Sequence, residues 1–123
     1  MTRQIMDDPK ALALFQEILR STLAKKLAWQ PTADEETFVA AMLGKYTLAL
    51  TSYTSLGNWG EHEGPPVIKV QDDRKNLLVE INAGIDGIRP EELQTLLVFA
   101  RRIALKADEK IDELLEELKR GND

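Results

Sequence analysis

Apolar residues recur at helical spacing near the start of the chain. Leu12, Phe15, Leu19 and Leu23 return every three or four positions, flanked by Leu14, Ile18 and Leu27, with Gln16, Glu17 and Arg20 opposite them. That is the pattern of an amphipathic helix. Asp8 supplies an N-cap, and Pro9 suits the first helical position, where its missing N–H costs nothing. Lys25 and Lys26 meet the negative end of the helix dipole. The spacing predicts a helix over 9–26.

The middle of the chain changes period. Tyr46, Leu48 and Leu50 alternate with Thr47, Ala49 and Thr51, which is strand periodicity. Two further strands follow at 67–70 and 77–81, joined by the polar turn Asp72-Asp73-Arg74-Lys75-Asn76. No helix fits between these strands, so they pair antiparallel. Leu77, Val79 and Ile81 then share an apolar face with Ile68 and Val70, and Lys69, Gln71, Glu80 and Asn82 form the wetter side.

Residues 29–43 read two ways. Thr32 followed by Glu35 resembles a capping box, with Phe38, Val39, Met42 and Leu43 as a helical stripe ending at Gly44. The run Thr37-Phe38-Val39 is strand-like, and Gly44-Lys45 suits a hairpin turn into Tyr46. The strand over 37–43 is the favoured reading, with a short edge strand at 27–30 stopped by Pro31.

A second helix opens at Pro90, followed by Glu91 and Glu92. Leu93, Leu97, Ala100, Ala104, Ala107, Ile111, Leu114 and Leu118 then keep a 4-3 heptad spacing. Thirty helical residues would extend about 45 Å, whereas a six-residue strand covers only about 20 Å. One sheet cannot cover such a helix along its length. Charge adds to this picture: Arg101, Arg102, Lys106 and Lys110 precede Asp108, Glu109, Asp112, Glu113, Glu116 and Glu117 in a largely basic-then-acidic order. Acid near a helix C-terminus opposes the dipole, and an antiparallel partner helix accounts for it. The seam therefore has two candidate partners. The first helix would fill the groove beside the alanines, and a second copy of the chain would cover Ala100, Ala104, Ala107, Ile111, Leu114 and Leu118.

The full sequence of 123 residues suits one domain, and 43% hydrophobic residues suffice for a core. It has no cysteine, which excludes disulfides, thiolate metal sites and a cysteine nucleophile. Sixteen Lys and Arg against 21 Asp and Glu leave a net charge of -5 without a basic tail, a poor match to nucleic acid. No apolar run approaches the ~20 residues that span a bilayer, and the N-terminus lacks a signal-peptide core. The expectation is a cytoplasmic protein that binds neither membrane nor nucleic acid.

At Trp29-Gln30-Pro31-Thr32, Thr37-Phe38-Val39-Ala40 and Gly44-Lys45-Tyr46-Thr47, the chain resembles a group of small bacterial proteins of unassigned function. The resemblance runs over 14–118. It implies a short helix, several strands and a long charged C-terminal helix, and favours the strand around Phe38. It brings no catalytic residue with it.

Residues with chemical potential are few. His62, the only histidine, lies with Glu61 and Glu63 in a Gly-rich stretch over 56–66, where adjacent side chains point opposite ways and a metal would lack a further ligand. A solvated hairpin loop explains it better. Trp59 in the same loop is a candidate partner-binding anchor beside His62. Ser21, Ser52 and Ser55 have no nucleophile elbow, and Gly57-Asn58-Trp59-Gly60 and Gly84-Ile85-Asp86-Gly87 are not phosphate loops. The run 82–87 lacks the oxygen ligands of a calcium loop. No catalytic residue, metal or cofactor is expected.

The reading is an α+β domain: an N-terminal helix, an antiparallel sheet of about four strands, and a long C-terminal helix, with both helices on one sheet face. The leading function is a non-enzymatic interaction protein, a homodimer through its last helix. One alternative is an adaptor or antitoxin-like inhibitor whose acidic helix end docks on a basic protein. Another is a small-molecule binder or minor enzyme with a pocket near Tyr46, Tyr53 or His62.

Overall fold

A computed structural model describes residues 7–57 and 60–122, with side chains outside 53–63. The elements run α1 (Pro9–Leu23), β1 (Gln30–Pro31), β2 (Thr37–Met42), β3 (Tyr46–Gly57), β4 (Gly60–Gln71), β5 (Leu77–Ile81), α2 (Pro90–Ala104) and α3 (Ala107–Gly121). The five strands form one antiparallel sheet in chain order. The fold is therefore α+β. Helices α1 and α2 pack together on one face of the sheet, and α3 meets the rest of the fold at its first turn, through α2 and an ion pair from Asp108 to Lys25.

Helix α1 begins as its residues require. The Asp8 carboxylate accepts from the Ala11 N–H at 3.0 Å, and Pro9 occupies the first turn. Its buried positions are Ala11, Phe15, Ile18 and Thr22, a stripe rotated from the expected one. Leu12, Leu14 and Leu19 border the core, while Leu23 is exposed. The helix stops at Leu23, short of Lys26. There the Lys26 N–H reaches the Ser21 carbonyl at 2.8 Å and the Lys25 N–H reaches Thr22 at 3.0 Å, with Lys25 at φ 60. Those two bonds around a left-handed residue are a Schellman stop. The turn brings Leu27 and Trp29 back under the helix, and the Trp29 indole N–H donates to the buried Thr22 hydroxyl at 2.9 Å.

The strand reading of 37–43 holds over Thr37–Met42, with Leu43 already in the turn. Phe38 and Ala40 face the core beside Leu50 and Leu48 of β3. Thr32 caps no helix; its hydroxyl bonds within the loop to Asp34 and Thr37. Pro31 does not stop the edge strand but lies in it, opposite Phe38. An edge position tolerates its missing donor. The hairpin turn centres on Leu43 and Gly44, at φ 56 and 70, one residue earlier than expected.

Ile68 pairs with Ile81 and Val70 with Val79, as the alternation predicts. Leu77 departs from that face and is 54% exposed, because the register shifts between Val70 and Gln71. The turn before it is held by Asp72, whose carboxylate accepts from the Asn76 and Arg74 N–H groups, each at 2.9 Å. Those bonds, the Asn76 amide first, hold the Asp72 carboxyl below its ordinary value. Beyond Thr51 and Val67, β3 and β4 continue as a two-stranded ribbon in which Tyr53 pairs with Gly64 and Gly57 with Gly60. Residues 60–64, expected in a loop, are thus strand. Gly87 leads into α2 at φ 91, and a Cβ there would lie 2.8 Å from Leu12 Cδ2.

Candidate functional site

The expected single C-terminal helix is two helices. Helix α2 buries Leu93, Leu96, Leu97, Ala100 and Ala104 in the core. At its end the Leu105 N–H reaches the Arg101 carbonyl at 2.9 Å, the Lys106 N–H reaches Ile103 at 3.2 Å, and Lys106 adopts φ 53. No glycine or proline marks the break. A left-handed lysine ends α2, as another ends α1.

The break reorganises the charges. Each helix now carries acid in its first turn and base in its last: Glu91 and Glu92 before Arg101 and Arg102 in α2, Asp108 and Glu109 before Lys119 and Arg120 in α3. Both helices therefore agree with their own dipoles. The charge order no longer requires a partner helix, which corrects the inference drawn from one long helix.

Asp108 ties the junction together. Its carboxylate accepts from Lys25 Nζ at 3.0 Å and from Arg102 Nη2 at 2.6 Å, linking the first turn of α3 to the ends of α1 and α2. The Lys25 bond, followed by the Arg102 bond and both positive charges, holds its carboxyl below the ordinary value.

Beyond that clasp, α3 stands apart from the core. None of its residues is buried. Ile111, Leu114, Leu115 and Leu118 are spaced 3, 1 and 3, so they form one stripe, and all are between 42% and 64% exposed. Of the six interface residues read from the sequence, Ala100 and Ala104 belong to the chain's own core, with Ala107 half-buried at the break. Only Ile111, Leu114 and Leu118 are presented outward, and Leu115 joins them.

Trp59 lies outside the described residues. His62 is described by its backbone, which pairs with Ser55 in the ribbon. Tyr46 lies half-buried with Lys45 Nζ 5.3 Å from its ring centre. Among the described residues, no three His, Asp or Glu side chains gather as metal ligands, and no helix is long and apolar enough to cross a membrane. A surface groove of about 280 Å³ lies on the outer sheet face at Thr51, Val67, Lys69 and Glu80.

Sequence reading overlooked two features. Thr22 serves as the buried acceptor for Trp29, a pairing that the apolar stripe conceals. The division at Lys106 was visible only in the repeated acid-to-base order. Comparison of the chain with protein-family models, with curated proteins and with solved structures found no match.

Proposed function

We propose that this protein is a non-enzymatic interaction module that self-associates through α3. The observation that supports this reading is the uncovered stripe of Ile111, Leu114, Leu115 and Leu118 on a helix without a buried residue. Four neighbouring large aliphatic side chains on a separate helix contribute nothing to the chain's own core. Covering them with a like stripe removes apolar surface from water, which is the main force in association. The rest of α3 is densely charged, which keeps the free chain in solution and confines contact to the stripe.

The test is light scattering over a concentration series, on the intact chain and on an Ile111→Glu, Leu114→Glu double variant. The intact chain is expected to approach twice the chain mass, and the variant to remain at the chain mass with an unchanged circular dichroism spectrum. A monomer for the intact chain at every concentration overturns the proposal.

A further inference from the structure

Resting on the self-association reading, we infer that the occupant of the stripe is α3 of a second copy, antiparallel, with Ile111 opposite the other copy's Leu114 and Lys110 beside its Glu117. In heptad terms Ile111 and Leu118 are a positions and Ala107 and Leu114 are d positions, so Lys110 and Glu117 fall at the flanking g positions. Flanking charges decide partner orientation in such seams, and they separate the arrangements that bury the same stripe.

A parallel pair places Lys110 beside the other copy's Leu115 and forms no charge pair with Glu117. It also aligns the two dipoles and stacks the acidic residues of each helix next to their own copies. Antiparallel packing opposes the dipoles, sets each a position opposite a d position and brings like flanks together, so g positions face g positions. With Ile111 opposite Leu114 and Ala107 opposite Leu118, the two-fold axis passes between Asp112 and Glu113. Lys110 and Glu117 then meet twice, once on each side of the axis. The small Ala107 receives the end leucine.

The chain leaves these two side chains available. All α3 side chains of this stretch are exposed. Among the described residues, Glu117 has only a loose contact with Arg120 within its own helix, at 3.6 Å between two side chains about three-quarters exposed. Lys110 makes no ion pair among the described residues. The stripe is short. Four half-exposed side chains from each helix fall below the ~1,200 Å² at which standing interfaces begin, so the pair is a reversible one whose population follows concentration.

Charge exchange tests the antiparallel pairing separately from the self-association. Sedimentation equilibrium is measured on the intact chain, on Lys110→Glu, on Glu117→Lys and on the double exchange. The inferred register predicts that each single exchange weakens association on the order of tenfold, from two exposed pairs turned repulsive, and that the double exchange restores it. A parallel pair brings neither Lys110 nor Glu117 to an opposite charge, so it predicts equal association of all four chains; that result overturns the inference while leaving self-association through α3 standing. A monomeric intact chain overturns the underlying reading itself.

Discussion

Replacing Lys106 with glycine gives a stability change whose sign depends on the break between α2 and α3. Lys106 is left-handed, at φ 53, directly after the C-cap Leu105 of α2. A side chain in that region costs roughly 1–2 kcal/mol that glycine does not incur. Glycine's greater freedom in the unfolded chain returns roughly 0.5–1 kcal/mol. The expected net effect of Lys106→Gly is a gain of about 0.5–1 kcal/mol. Because α2 carries Leu93, Leu96 and Leu97 in the core, its C-terminal stop reports in global unfolding. Urea denaturation is the assay. With a slope of about 2 kcal/mol per molar, typical of small domains, the midpoint rises by about 0.3–0.5 M. Were residue 106 inside a continuous helix, glycine would cost about 1 kcal/mol and lower the midpoint by about 0.5 M. A lowered midpoint at unchanged slope refutes the break.

Other consequences are equally direct. Thr22→Val leaves the buried Trp29 indole N–H without its acceptor and is expected to cost about 1–3 kcal/mol; a double-mutant cycle with Trp29→Phe should show costs that sum to more than the double variant loses. Gly87→Ala meets both a positive φ of 91 and a 2.8 Å approach to Leu12 Cδ2, and should lower stability by about 1–3 kcal/mol in thermal unfolding, with Leu12→Ala relieving the contact but not the backbone strain. For Asp108 the folded carboxyl binds its proton less tightly than the unfolded one, because Lys25 and Arg102 hold the charged form. Its stabilising contribution is therefore complete above about pH 4 and is lost as pH falls through the lowered folded value. Asp108→Asn should flatten that acid limb, followed by the amide signals of residues 107–112.

How much was legible depended on whether local pattern and tertiary demand coincided. Helix α1 announced its start through Asp8 and Pro9, and the sheet-core parts of β3 and β4, at 46–51 and 67–70, announced themselves with β5, whereas the ribbon beyond them reads as a Gly-rich loop. The helix is legible less fully along its length. Its buried stripe was misjudged because hydrophobicity favoured Leu23 over Thr22. The Schellman turn at Lys25 ends the helix beside Leu23 and brings Trp29 under Thr22, where a hydroxyl is worth more than a methyl group. Alternation likewise puts Leu77 inside, since a register shift is invisible to a count of alternating residues. The break at Lys106 hid behind an unbroken 4-3 spacing. A heptad count tracks apolar positions, and Ala104 and Ala107 satisfy it whether the helix continues or turns. As for the site, the outward residues of α3 were legible as an apolar seam, but the core burial of Ala100 and Ala104 follows from where α2 meets the sheet.

The isolation of α3 also bears on its own persistence as a helix. Fifteen residues fall at the margin below which a lone helix in water frays, since nucleation is costly and each added residue contributes little. Its attachments lie at one end, in the contact with α2 and the Asp108 clasp, so the ordering of the distal turns is coupled to whatever covers the stripe. Under the proposed pairing of two copies, affinity is tunable from outside the contact. A substitution on the solvent side that raises helix propensity, such as Asp112→Ala, would then lower the ordering cost and tighten association without adding one interfacial atom.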